Sequence, residues 1–428
     1  MAGFCRNRLA VTRDMAVQRV SDIYLVVTHT SHTMDNTGIQ RVTRSLCRAL
    51  EEDYPAVSFV SWAEDLQCLR PLDVQQASRL GAYGGPVNTE PRTDLAHPPA
   101  WIGHLPVPRS IRRRIRESWR RKHAAFRIRR GGWMVIPEWV TGRQMEDLVA
   151  YAKRQGLGSV AIFHDAIALD YPELVSQKFR ENHYEYLRSM TLCDQVIANS
   201  RHSFERFQRF IDEEGKGKPH LSYVELAGEI IGCSREAQAN EDLSKGIRAL
   251  CVGSLDPRKN HQALLDAFEI IWTEHPSLPL ELTLVGGIYD ENNPICRLVR
   301  DRCDRWPGLQ WLGRVPDEVL SAEYQKCHLT CFPSVIEGFG LPIMESLWHG
   351  RPCVCSKDAV MGELASGGGC VATAVEDPVA MARAIHALVS DPKRLKALAH
   401  EALDRPIKTW RQYGREFVDQ LRKPGTPE

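Results

Sequence analysis

Two carboxylates stand eight residues apart in the stretch SVIEGFGLPIMESLWHG, residues 334–350. Glu337 precedes the turn Gly338-Phe339-Gly340-Leu341-Pro342, and Glu345 follows it. The run LTCFPS (329–334) has strand character, and PIMESLWH (342–349) has helix character with Pro342 in its first turn. Glu337 therefore sits on a loop, and Glu345 about one turn inside a helix. Gly338 and Gly340 let backbone N–H groups come close to a ligand. Those N–H groups and the dipole of the helix start favour an anion. Carboxylates on either side of an anion accept hydrogen bonds from hydroxyls. Hydroxyls, then phosphate, then hydroxyls is the layout of a nucleotide sugar: hexose, diphosphate, ribose. A capping glutamate beside a tight turn is the plainer account of the same residues.

A second segment supplies the opposite charge. VGSLDPRKNH (252–261) follows the buried, strand-like IRALCVG (247–253) and places Arg258 and Lys259 on the loop beyond it. A departing diphosphate gains negative charge as its bond to the sugar breaks, and fixed cations stabilise it. Solvated surface charge is the alternative for the same pair. A third segment, FHDAIALDYPE (163–173), puts His164 and Asp165 at the end of the strand-like SVAIF (159–163).

These residues need a scaffold of strand ends. The C-terminal half alternates strand and helix: NHQALLDAFEIIW as a helix with apolar positions 264, 265, 268, 271 and 272, then LELTLVGG, PICRLVRDRCDRW, LQWLG, DEVLSAEYQKC, LTCFPS, PIMESLWH and PCVCS. Repeated βα units predict a parallel sheet covered on both faces, with ligands at the carboxyl ends of its strands. The N-terminal half reads as strand DIYLVVT (22–28), loop HTSHTMDNTG, helix IQRVTRSLCRALEE, and later the strands SVAIF and CDQVIANS. A Pro/Gly-rich stretch at about 81–108 reads as an excursion. The polar SREAQANEDLSKG (234–246) marks a domain boundary. The expected class is α/β, with two Rossmann-like doubly wound domains facing each other across a cleft.

At 428 residues the chain is long enough for two domains. With 43% hydrophobic and 25% charged residues it has the composition of a soluble globular protein, and a net charge of +1 gives no global argument for nucleic acid. Its 13 cysteines are scattered; Cys327/Cys331 and Cys353/Cys355 lie in apolar runs and match no zinc spacing. They read as reduced core residues of a cytoplasmic protein. No apolar run reaches the roughly 18 residues of a membrane span. The N-terminal stretch lacks the apolar core of a secretory signal. No Asp-x-Asp metal pair and no base–nucleophile arrangement stand out in these motifs, so no metal and no cofactor is expected.

FPSVIEGFGLPIMES resembles the signature of the retaining GT-B glycosyltransferases in which Glu, seven residues and a second Glu recur, the group that includes sucrose synthase and bacterial mannosyltransferases of polysaccharide assembly. The resemblance implies that Glu337 holds a donor-sugar hydroxyl and Glu345 the ribose. Gly338, Phe339, Gly340 and Leu341 then face the sugar and diphosphate, and Arg258 and Lys259 clamp the diphosphate. The segment near Val315, in WLGRVPDEVL, meets the base. His164 faces the reacting sugar, with Asp165 and Gly38 (of DNTGIQRV) on the acceptor side. The position after Gly253, an Arg in some members, is Ser254 here, which shifts weight onto Arg258. By the same resemblance, residues 1–235 are the acceptor-side domain and 236–405 the nucleotide-sugar domain. Residues 406–428 are a helix packing back on the first domain. Retention in this family is explained by front-face attack, with the departing phosphate taking the acceptor's proton.

The activity implied is transfer of a sugar from a nucleotide diphosphate, GDP-mannose by the likeness of PRKNH, to a glycan or lipid-linked acceptor in surface polysaccharide synthesis. A GT-B epimerase or phosphorylase, or a non-catalytic scaffold of a polysaccharide-assembly complex, are the alternatives. One further segment, RSIRRRIRESWRRKHAAFRIRRG (109–131), carries eleven Lys/Arg and one acid, Glu117. Ile111, Ile115, Trp119 and Phe126 fall near one helical face. This pattern fits a helix lying on an anionic membrane surface through 109–130, at the inner face of the membrane, or an ordinary docked helix. No nucleic-acid module accompanies it.

Overall fold

The computed structural model describes residues 22–88, 100–215, 217–235, 240, 242–288 and 293–421. The segment 1–21, residues 89–99 of the Pro/Gly-rich excursion, residues 236–239 at the expected domain boundary, and 422–428 lie outside the described residues.

Two sheets organise the chain. The first holds β1 (Ile23–Val26), β2 (Val57–Ala63), β3 (Cys68–Pro71), β4 (Trp133–Ile136), β5 (Gly158–Phe163), β6 (Gln195–Ala198) and β7 (His220–Tyr223), in the order β3-β2-β1-β4-β5-β6-β7. All pairs are parallel except β2 with β3, where Ser61 stands opposite Arg70. The second holds β8 (Ile247–Val252), β9 (Leu280–Val285), β10 (Leu309–Trp311), β11 (Leu329–Phe332), β12 (Cys353–Ser356) and β13 (Cys370–Thr373), in the order β10-β9-β8-β11-β12-β13, all parallel. Strands β1, β4, β5, β6, β11 and β12 are buried along their whole length, because helices cover both faces. Strand order reverses between β1 and β4 and between β8 and β11. Such reversals splay the flanking connections apart and open a crevice at the carboxyl ends.

The two halves share an apolar core. One cluster runs from Leu46 and Leu50 on the helix Gly38–Asp53, through Leu226 and Ala227, to Phe339, Ile343 and Leu347 of the second domain. The helix Trp410–Gln420 belongs to the same cluster and lies along Gly38–Asp53. Gly414 allows a close approach there: a Cβ would stand 3.0 Å from that of Ala49, tighter than ordinary contact. Asp53 accepts from Arg411 and Arg415, which hold its carboxyl down at about 2 against its burial.

Several elements differ from expectation. The stretch after β1 is not all loop: Thr28–His32 forms a short helix. The basic segment is helical only over Arg109–Ala124. Phe126 lies beyond that helix; its N–H donates to Leu69 O at 2.7 Å and its ring packs edge-on against Tyr24 at 5.9 Å. It is therefore part of the domain core, not of an amphipathic face. Among the described residues the cysteines carry free thiols, and no helix is long and apolar enough to cross a membrane.

Candidate active site

The two sequence segments with opposite charge meet because β8 and β11 are neighbours across the strand-order reversal, although 78 residues separate Lys259 from Glu337. Lys259 ends the turn Pro257–Lys259 after β8, and Glu337 lies on the loop after β11. The Lys259 Nζ donates to Glu337 Oε1 at 2.5 Å and stands 5.1 Å from the centre of the Phe332 ring. A Cβ on Gly253 would stand 3.5 Å from the Cδ of Lys259, so the lysine stem passes beside that glycine. The Val335 N–H donates to Arg258 O at 2.9 Å and ties the two loops together. Arg258 itself is clasped by Asp256, Nε to Oδ1 at 3.1 Å and Nη2 to Oδ2 at 3.0 Å. Burial opposes charge on both groups, but the pairing wins: the arginine pKa is raised and the Asp256 carboxyl is held down.

Gly340 initiates the helix Leu341–Trp348 with φ +106°, a conformation that a side chain would strain. Phe339 points its side chain into the shared core, so its backbone faces outward, while the half-buried Leu341 packs against that core. Glu345 lies buried on the helix. Both its oxygens are engaged: Oε1 by Arg41 of the N-terminal domain, and Oε2 by the Tyr324 hydroxyl at 3.1 Å. Val315 is half-buried against Leu250, Leu320 and Tyr324. Beside it Arg314 reaches across to Asp35 at 2.8 Å.

The N-terminal domain presents its strand ends to the same place. His164 follows β5, and a Cβ on Gly338 would sit 2.2 Å from His164 O, so glycine alone permits this approach of the two domains. Ser200 and Ser203, at the start of the helix Arg201–Glu214, donate to Gly338 O at 2.9 and 3.1 Å. The His164 ring is buried, and burial lowers its pKa. Its Nε2 lies 2.7 Å from Pro137 O, which can only accept, so the neutral ring carries its proton there and Nδ1 remains an acceptor. Asp165 turns back on its own chain: Oδ1 accepts the Ile167 N–H at 3.1 Å. Gly38 opens the helix Gly38–Asp53, and a Cβ there would find no protein atom within 4 Å. The structure thus brings Lys259 to Glu337, the Arg258 loop to Val335 and Gly338 to His164, with Asp165 and Arg258 engaged by near neighbours.

Residues 246–391 match the family described as Glycosyl transferases group 1. Over 151 residues the chain is 34% identical to O-antigen chain mannosyltransferase B of Escherichia coli, covering 35% of this chain and 39% of that one. Over 116 residues it is 32% identical to the serotype-specific mannosyltransferase WbdA of Escherichia coli, covering 27% and 14%. These matches span well under half the length of either relative. The fold is shared more widely. HepE of Anabaena, solved with UDP and glucose, superposes over 94% of this chain and 100% of its own with a TM-score of 0.61 at 16% identity. Sucrose-phosphate synthase of Thermosynechococcus elongatus does so over 93% and 94%, with a TM-score of 0.59 at 18% identity. The fold is that of the GT-B glycosyltransferases, and the family match lies within the second half of the chain.

Several residues near these segments escape a reading of the motifs. Arg41 stands one turn into its helix, and only its contact with Glu345 distinguishes it from the neighbouring arginines of IQRVTRSLCR. Arg44 is buried. It donates to the carbonyls of Thr30, Thr33 and Asp35 and to Asn36 Oδ1, and so shapes the loop that leads to Gly38. Glu138, after β4, is buried and accepts the N–H groups of His29 and Thr30 at 2.8 and 2.6 Å. Burial raises its pKa against those bonds. A lone Glu after a short strand gave no motif by which to find it.

Proposed function

We propose that the protein is a retaining, metal-independent hexosyltransferase that moves mannose from GDP-mannose to a glycan or lipid-linked acceptor in surface polysaccharide synthesis. The observation that carries this is the convergence of Lys259, Glu337 and the Gly340 helix start on the point where Gly338 abuts His164. The mannosyltransferase relatives support the choice of sugar.

The diphosphate lies against the N-terminus of the helix Leu341–Trp348, whose free N–H groups and dipole favour an anion. The Lys259 ammonium has three N–H donors; one serves Glu337 and the others turn to phosphate oxygens. Arg258 adds fixed positive charge alongside, and together these groups supply what a divalent ion would otherwise contribute. Glu337 accepts from a hydroxyl of the transferred sugar, and Glu345 from the ribose. His164, neutral and held through Nε2, keeps Nδ1 free to accept from a sugar hydroxyl. The acceptor hydroxyl attacks from the side the diphosphate leaves, and the departing phosphate oxygen takes its proton.

The helix Arg109–Ala124 carries exposed Ile111, and the adjacent Trp101 is exposed as well. With its arginines this makes a basic face tipped with apolar groups, suited to the anionic inner leaflet of a cytoplasmic membrane. The decisive experiment is a donor panel: each common nucleotide sugar is incubated with the full chain, and nucleotide release is measured with and without glycan. Release from GDP-mannose above all others supports the reading; release from none, at any acceptor, overturns it.

A further inference from the structure

Three thiols meet on one face of the second sheet. β12 and β13 run parallel, with Cys353 opposite Cys370. Cys355 lies two residues beyond Cys353, so strand alternation turns its side chain to the same face. Cys353 and Cys355 are buried in the apolar cluster shared by the two domains, and Cys370 is half-buried against it. The three thiols hydrogen-bond one another. Neighbouring strands stand roughly 4.7–4.9 Å apart, inside the Cα separation of roughly 4.4–6.8 Å that a disulfide spans. Cys353 and Cys370 are therefore within bridging reach of each other.

Cys370 differs from its two partners in its surroundings. It opens β13 directly after Gly367, Gly368 and Gly369, which have no side chains to cover it. Ser366 and Gly367 are exposed. Arg405 folds over the same loop: its Nη1 donates to Leu364 O at 2.7 Å and to Gly368 O at 3.1 Å, and a Cβ on Gly367 would stand 2.5 Å from its Cζ. Hydrogen bonds from the Cys353 and Cys355 thiols, with the Arg405 charge nearby, hold the Cys370 thiol well below its usual value against burial. Burial pushes the Cys353 thiol up. One sulfur is thus a partly exposed thiolate in positive surroundings, where reactive cysteines occur, and the other two are its thiol donors.

We propose that Cys370 is an oxidation site for hydroperoxides and that Cys353 resolves it to a disulfide across β12 and β13. The Cys370 sulfur attacks one peroxide oxygen, the O–O bond breaks, and hydroxide leaves; the product is a sulfenic acid. The Cys353 sulfur then attacks the Cys370 sulfur. The S–O bond breaks, the Cys353 proton goes to the departing hydroxide, and water leaves. In total two thiols lose two electrons and two protons, and one hydrogen peroxide becomes two waters. Cys353 also stands opposite Thr330 on β11, whose hydroxyl lies 2.7 Å from that of Ser346 on the helix Leu341–Trp348, so the bond forms one strand away from that helix's anchor. This chemistry needs no transferase activity.

The test treats the native full chain with hydrogen peroxide, then denatures it, alkylates the remaining thiols and digests it with trypsin for mass spectrometry. Cleavage after Lys326, Lys357 and Arg383 leaves Cys370 as the lone cysteine of its peptide and puts Cys353 in the preceding one. Peroxide is expected to cut alkylation of Cys370 and Cys353 roughly fivefold, ahead of the buried Cys331 and Cys251, and to join the two peptides with a loss of about 2 Da. Fragmentation should place the link at Cys353–Cys370, and dithiothreitol should remove it. Dimedone present during oxidation should trap the sulfenic acid on Cys370 and lower the yield of the link. In Cys370→Ser, Cys353 should stay alkylated as in untreated protein. Four results overturn the proposal: a wild-type Cys370 that peroxide leaves untouched, a link from Cys370 to any other cysteine, dimedone found on Cys353 instead, or a Cys353 that oxidises as fast in Cys370→Ser. The wild-type measurements decide the matter even where the variant folds poorly.

Discussion

Arg41 and Glu345, 304 residues apart, form an ion pair across the cleft between the two domains. Glu345 is buried, and Tyr324 donates to its second oxygen at 3.1 Å. A carboxylate offers about four acceptor positions, so two remain, enough for the ribose hydroxyls of the proposed donor. Arg41 therefore orients the carboxylate and, on the proposed ribose role of Glu345, would couple the N-terminal domain to the nucleotide. Arg41→Ala and Glu345→Ala are each expected to weaken GDP binding roughly tenfold, the loss of about one charge-assisted hydrogen bond. The double variant should bind no worse than Glu345→Ala. Calorimetric titration of the three variants checks this; strictly additive losses would show that the pair does not act as a unit.

Glu337 and Glu345 should separate kinetically. Glu337 pairs with Lys259 on the loops after β11 and β8, whereas Glu345 lies inside the helix Leu341–Trp348; the proposed donor pose sets the first at the sugar–phosphate bond and the second at the ribose. Glu337→Gln is expected to lower kcat on the order of a hundredfold with little change in donor KM, and Glu345→Gln to raise donor KM on the order of tenfold. Steady-state kinetics with GDP-mannose read both. The reverse pattern would exchange the two assignments.

Chelation should leave turnover largely intact if, as proposed, Lys259, Arg258 and the Gly340 helix start supply the charge facing the leaving group. Lys259→Met is expected to reduce kcat at least a hundredfold, and manganese should not restore it. Activity that vanishes in EDTA and returns with manganese would contradict the metal-independent mechanism.

Acid should destabilise the fold through buried imidazoles. Burial lowers the pKa of His261 and of His349 to about 4, and both His261 nitrogens lack partners among the described residues. In the unfolded chain these rings gain a proton as pH falls through about 6.5, while the folded forms stay neutral to about 4. The unfolded state thus binds more protons in that window, and stability present above 6.5 is lost toward 4. From pH 6.5 to 5 this amounts to about 2 kcal/mol per ring. His261→Leu should flatten the fall of Tm between pH 7.5 and 5.0. A variant with the wild-type slope would remove His261 from the account.

The basic helix should act at a surface and not in the chemistry. Arg109, Arg114 and Arg116 are exposed along it, and each contributes roughly 1 kcal/mol near an anionic leaflet. Arg112 is employed otherwise, donating to Gly103 O and Val107 O at 2.9 and 3.0 Å. Replacing the three exposed arginines with Gln, or raising salt to shorten the Debye length to about 3 Å at 1 M, should release the protein from anionic liposomes. Wild-type protein that stays in the supernatant at low salt would leave the helix an ordinary solvated face.

What the sequence determined by itself was local. Buried runs such as SVAIF and LTCFPS, the Pro342 start and the Gly340 turn identify elements and the loops that follow them, because side-chain periodicity and backbone sterics act within a few residues. Placing Glu337, Lys259 and His164 at strand ends needed nothing more. Tertiary structure decided the rest. The strands β4, β7 and β13 stand in none of the segments read from the sequence, and Phe126 reads as part of a helix until it is seen against Tyr24. The sheet order, which sets β11 beside β8 and so Glu337 beside Lys259, follows from how all the helices pack on the sheet, not from any one segment. The same holds for Arg41 on Glu345 and for Gly338 against His164. These contacts join segments hundreds of residues apart, and nothing in the local spacing of either partner encodes the other, because contact across a cleft depends on the relative placement of two whole domains.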